Sequence, residues 1–185
     1  MAVRIDPLCI ISKYLDQGSL AYRILVEHGR AVADKSILIA RCVADLYPDL
    51  AFIEEAAMLH DIGIFMTREP RLGCNGDKDY ICHGYLGREM LDQEGLPAHG
   101  LVCERHIGVG LTVRDIQRQH LPIPQREMMP TTLEEKIICY ADKFFSKRIE
   151  ALREEKGLEE VRKNIAHYGQ DHLDRFEALH ALLGR

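Results

Sequence analysis

An all-α fold is predicted for this 185-residue chain from three observations. Apolar residues recur at the helical period along most of the sequence. Prolines, glycines and cap residues punctuate it at helix-length intervals, and no run alternates with the period of two that a half-buried strand requires. The length suits one domain with a core that needs no staples.

Taken in order, Asp6-Pro7 is a cap followed by proline at the first helical position, opening a short helix over 8–15. A long helix follows over 19–46, with Ala21, Leu25, His28, Val32, Leu38 and Ile39 on or near one stripe. Pro48-Asp49 breaks it and caps the next helix, 52–61. Residues 63–79 lack helical periodicity and carry the bases Arg68, Arg71 and Lys78, so they are expected to form a loop able to close over a ligand. Helices are expected again over 80–93 and 97–106, separated by Gly95. A short one covers 113–119, and prolines 122, 124 and 130 force an extended connection over 121–130. Thr131-Thr132-Leu133-Glu134 reads as a capping box opening a long helix to about residue 154. The tail, 158–183, reads as one or two amphipathic helices closed by Gly184, with His172 and His180 on an exposed or interface face.

Composition narrows the function. A net charge of -5 argues against a nucleic-acid binder, because non-specific phosphate binding needs clustered positive charge. The six cysteines contain no C-x-x-C pair, and several fall on apolar faces, so reduced structural thiols and a cytoplasmic protein are expected. No leader and no membrane span is expected, since nothing approaches the ~20 consecutive apolar residues that a spanning helix needs.

The informative residues are polar ones at apolar positions. His28 shares a face with Ala21, Leu25 and Val32; His60 with Ile53, Ala56 and Ala57; His83 with Leu86, Met90 and Leu91; and His106 with Val102 and Cys103. Asp142 falls in a stripe with Ile138, Phe145 and Ile149, and Asp61 directly follows His60. An unpaired polar group buried in this way costs roughly a few kcal/mol. Six of them on apolar faces are reconciled by a cation that gathers them. The donors are nitrogen and oxygen with no thiolate, which suits divalent iron, manganese, zinc, nickel or cobalt, and the count fits two ions bridged by a carboxylate.

The spacing His28-x(31)-His60-Asp61, with Asp142 far downstream in Tyr140-Ala141-Asp142-Lys143, resembles the HD-domain superfamily of metal-dependent phosphohydrolases. Leu59-His60-Asp61-Ile62-Gly63 matches its HDIG variant. His83-Gly84, the run from Arg105 to Leu111, and the stretch from Pro130 to Ile137 resemble a small prokaryotic HDIG family. One departure is Ile64, where the common motif has lysine. The resemblance implies a single helical HD domain over 20–150, preceded by an N-terminal helix over 1–19 and followed by a C-terminal extension, 151–185, that packs on the same domain or makes a homodimer contact. It also implies that His28, His60 and Asp142 hold one ion, Asp61 bridges, and His83 and His106 hold a second. The substrate would be a small phosphorylated compound, a nucleotide foremost, with no nucleic-acid or membrane partner. Hydroxide activated on the metal would attack phosphorus while Lys143 and Arg105 neutralise charge, with Lys147, Arg148 and Arg23 as further bases. Two alternatives stand beside it: a di-iron HD-type oxygenase on the same ligands, and a non-catalytic nucleotide-sensing protein with a degenerate site.

Overall fold

The computed structural model describes residues 4–184. Among them are nine α-helices: α1 Pro7–Tyr14, α2 Leu20–Cys42, α3 Leu50–Leu59, α4 His83–Gln93, α5 Pro97–Arg105, α6 Val113–Arg118, α7 Leu133–Asp142, α8 Leu158–Ala166 and α9 Gln170–Leu183. The all-α expectation holds. Asp6, Ser19 and Asp49 cap α1, α2 and α3 by accepting from the backbone N–H of Leu8, Tyr22 and Phe52, each bond satisfying a donor the helix leaves open. The central helix α2 packs on α3 and α7, and α4 packs on α5. Val32, Ile53, Leu59, Leu91, Ile137 and Ile138 fill the space between them.

Glycine allows two of these approaches. A Cβ on Gly63 would run into His83 O and Gly87 N, and one on Gly84 would lie 2.9 Å from Cys103 O. The backbone after Asp61 therefore lies directly against α4, and α4 directly against α5. This brings His60, Asp61, His83 and His106 to one place.

Four expectations are corrected. The second helix ends at Cys42, and 44–46 form a separate 3-10 turn closed by Tyr47 in the left-handed region (φ 56°). Residues 63–79 do not form an open loop: 3-10 turns flank a small antiparallel pair, β1 Arg68–Glu69 with β2 Cys74–Asn75, pinned by buried Thr67. Arg68, Arg71 and Lys78 are exposed on it. The capping box lies one residue later, because the doublets Thr131-Thr132 and Glu134-Glu135 fit both registers. Thr132 and Glu135 make it, while Glu134 accepts from Asp49 N at 3.1 Å. Finally, α7 stops at Asp142 rather than near 154. Its last turn tightens into i→i−3 bonds, and the buried residues that follow come in adjacent pairs, Phe144 with Phe145 and Ala151 with Leu152. Ile149 is left exposed, so the stripe of Ile138, Asp142 and Phe145 does not continue to it.

The tail joins the core through α9. Phe176 is fully buried and stacks on Tyr140 of α7 with ring centroids 5.4 Å apart. Truncating a phenylalanine so placed costs about 3–5 kcal/mol. Arg162 of α8 forks onto Glu177 of α9 at 2.7 and 3.0 Å. All six cysteines are free, and Cys74, Cys82, Cys103 and Cys139 are buried. No helix among the described residues is long and apolar enough to cross a membrane.

Candidate metal centre

Five helices deliver the six predicted ligands. His28 projects from the middle of α2, His60 and His106 are the C-caps of α3 and α5, His83 is the first residue of α4, and Asp142 the last of α7. All six are buried. Three of the rings are aimed by their own backbone: Nδ1 of His60, His83 and His106 lies 2.6, 2.6 and 2.7 Å from the carbonyl three residues earlier, on Ala57, Tyr80 and Cys103. Donation from Nδ1 leaves Nε2 of a neutral ring with its lone pair pointing inward.

Asp61 divides the cluster. Its Oδ2 lies 3.3 Å from His28 Nε2 and 3.1 Å from His60 Nε2, while its Oδ1 lies 3.2 Å from His83 Nε2 and 3.4 Å from His106 Nε2. Asp142 Oδ1 joins the first side, 3.0 Å from His28 Nε2 and 3.5 Å from His60 Nε2. On the second side the Nε2 atoms of His83 and His106 face each other at 3.3 Å. Two lone pairs at that distance repel unless a cation lies between them. His60 Nε2 and both oxygens of Asp61 make no well-directed hydrogen bond. This concentration of acceptors with few donors fits a divalent cation. His28, His60 and Asp142 form one group that could hold an ion, and His60, Asp61 and His106 form another.

The electrostatics follow from burial and crowding. Burial opposes charge on His60, yet Asp61 and Asp142 outweigh it and raise the ring to about 9. Burial lowers His106 to about 3, with Asp61 only partly opposing. Burial pushes both carboxyls up, but His60 and Lys147 hold Asp61, and Lys143 and His28 hold Asp142, well below the usual carboxylate range.

A cleft of about 350 Å³ opens onto the cluster, with His83, His106 and Asp142 at its base and Lys143, Lys147 and Lys156 on its wall. Lys143 Nζ donates to Asp142 Oδ2 at 2.7 Å and to His106 O at 3.0 Å, and Lys147 Nζ lies 2.8 Å from Asp61 Oδ2. Sequence reasoning had named Lys143, ranked Lys147 lower and missed Lys156, whose Nζ donates to Phe145 O at 2.7 Å. Arg105 is not brought to the cleft. Its Nη1 is bound to both oxygens of Glu135 at 2.8 and 3.0 Å and to Thr131 Oγ1 at 2.8 Å. Arg23 and Arg148 are exposed and outside the cleft. His172, expected on an exposed or interface face, is buried beside Asp115 and lines the cleft, and His180 Nδ1 lies 2.7 Å from the Tyr140 hydroxyl.

Comparison with known proteins places these features in a wider group. A model of the HD domain matches residues 25–146. The chain is 33% identical over 131 residues to an uncharacterized protein of Methanocaldococcus jannaschii, covering 68% of this chain and 70% of that protein. It is 29% identical over 150 residues to a tRNA (cytidine(56)-2'-O)-methyltransferase of Thermoplasma volcanium, 77% of this chain and 40% of the relative. A methyltransferase of the same name from Picrophilus torridus is 28% identical over 124 residues, 66% of this chain and 32% of the relative. No solved structure matches.

Proposed function

Since this chain belongs to the HD-domain family, we propose that it is a metal-dependent phosphohydrolase acting on a small phosphate ester or anhydride, a nucleotide foremost. The observation that carries the reading is the buried, acceptor-rich cluster at the base of a lysine-walled cleft. His28, His60 and Asp142 would hold one ion, and His83 and His106 a second, with Asp61 beside both groups. Divalent ions so held would lower the pKa of water and draw charge from phosphoryl oxygens. The chain's own residues do the rest. The carbonyls of Ala57, Tyr80 and Cys103 fix the rings, so little reorganisation is left for the reaction. Lys143, Lys147 and Lys156 offer three ammonium groups to non-bridging oxygens. Lys147 Nζ lies 2.8 Å from Asp61 Oδ2, so an ion held by Asp61 would compete with it for that oxygen. Arg105 is left out of this machinery.

The cleft volume of about 350 Å³ and the net charge of -5 support a small substrate over a polynucleotide. The methyl-transfer activity in two relatives' names is not carried over, because this chain spans only 40% and 32% of those proteins.

The test is elemental analysis of protein purified without chelator, followed by phosphate release from nucleotides and simple phosphate esters, with and without oxygen. About two ions per chain and oxygen-independent release are expected, and His106→Ala should lose one ion and most activity while folding normally. Oxygen consumption with an absolute need for iron would replace the hydrolase with the oxygenase. Failure to hold metal after reconstitution would overturn both.

A further inference from the structure

The far wall of the cleft is built from residues outside the region matched by the HD-domain model. Asn164 and Ile165 of α8, Tyr168 in the following turn and His172 of α9 all line it, facing Gln119 and Leu121 from the segment after α6. None of these can ligate the cluster, whose donors are already gathered at the base. Their chemistry is that of recognition. Tyr168 is 64% exposed at the cleft, with the His167 and His172 rings beside it at centroid distances of 5.9 and 6.2 Å and most of its aromatic surface open. The side-chain amides of Asn164 and Gln119 make no hydrogen bond among the described residues, and Ile165 and Leu121 supply apolar surface beside them. His172 is buried, yet its Nε2 has no hydrogen-bond partner, the nearest carboxylate oxygen, Asp115 Oδ1, being 3.9 Å away. A buried polar atom with no partner is costly, and here it borders a cavity that continues to the metal ligands.

We infer that this C-terminal extension forms a specificity subsite for the organic half of the substrate, a flat heteroaromatic ring with a hydrogen-bonding edge. The ring stacks on Tyr168, its edge meets the Asn164 and Gln119 amides and the His172 imidazole, and the phosphoryl group reaches the lysines. The inference rests on the phosphohydrolase reading for the other end of the cleft. It adds that discrimination among phosphate esters lies away from the ligand cluster, in residues 164–172 together with Gln119 and Leu121.

The test compares common nucleoside 5′-monophosphates with ribose 5-phosphate, which keeps phosphate and sugar but lacks the ring. Each is assayed for hydrolysis and for calorimetric binding to the metal-loaded protein. Wild type should favour at least one nucleotide by about tenfold or more in kcat/KM, as an aromatic stack with an edge contact provides. Tyr168→Ala and Asn164→Ala should collapse that ratio toward one. Both side chains are exposed, and an unchanged melting temperature would show that the fold is intact. Equal hydrolysis of both probes by wild type, or a ratio unmoved in both variants, would overturn the subsite and leave the hydrolase standing. Nucleotide binding that depends on Tyr168 without any hydrolysis would overturn the hydrolase and keep the subsite. Binding with no preference for the ring and no hydrolysis would overturn both.

Discussion

Glu104, Glu135 and Asp115 are buried about as deeply as Asp61, yet they are treated in the opposite way. Glu104 receives Arg88 and Arg126; Glu135 receives Arg105 and the backbone N–H of Thr131; Asp115 receives Arg175 together with the N–H and hydroxyl of Thr112. Each is a junction: Glu104 and Glu135 sit at the edges of α5 and α7, and Asp115 ties α6 to α9. Asp61, by contrast, is surrounded by four imidazole nitrogens and one ammonium group, with neither oxygen in a well-directed hydrogen bond. Burial of a carboxylate is therefore a poor sign of function by itself. The discriminating sign is a shortage of donors around it.

The comparison is broken most directly at Asp61. Asp61→Ala should lose both ions and lower turnover by about a thousandfold or more, read by elemental analysis and phosphate release. Full metal content in that variant would reduce Asp61 to a structural carboxylate like the others. Glu104→Gln should do the reverse. It leaves two guanidinium groups without their anion and should cost about 2–3 kcal/mol in denaturant unfolding, the full buried-pair penalty being softened because Arg88 and Arg126 are partly exposed. Its metal content should be unchanged. Arg105→Ala should cost about 1–2 kcal/mol and leave kcat within about twofold. A loss of kcat well beyond that would return Arg105 to the active site.

The smallest effect concerns pH. Burial pushes Asp115 up, but hydrogen bonds from Arg175 and Thr112 outweigh it and hold the carboxyl well below its ordinary value. A depressed folded pKa contributes stability that is fully present above the unfolded value, about 3.9, and is lost as pH falls toward the folded one. Urea midpoints should therefore drop below about pH 4, and Asp115→Asn should flatten that part of the acid limb. An identical acid limb in the variant would show that Asp115 titrates alike in both states.

Much of this was legible in the sequence, and the reasons for the rest are specific. His28, His60, His83, His106 and Asp142 were found because each breaks an apolar stripe, and a helix fixes where its side chains point. Arg105 was misassigned because it adjoins His106 in sequence. Neighbours on a helix point about 100° apart, and Arg105 turns to Glu135. Beyond Asp142 the helical rule no longer applies, so neither the inward turn of Lys147 nor the arrival of Lys156 has a periodic signal. The cleft wall from α8 and α9 was hidden for a related reason: Tyr168 lies between those helices, and His172 is buried beside Asp115, far away in sequence.

The three histidines whose Nδ1 meets the carbonyl of the third preceding residue behave as self-contained four-residue cassettes. Each ring is oriented by chain that folds locally, so its rotational entropy is surrendered during folding and not when the ion arrives. Capture of an ion would then resemble closing a latch whose teeth are already cut.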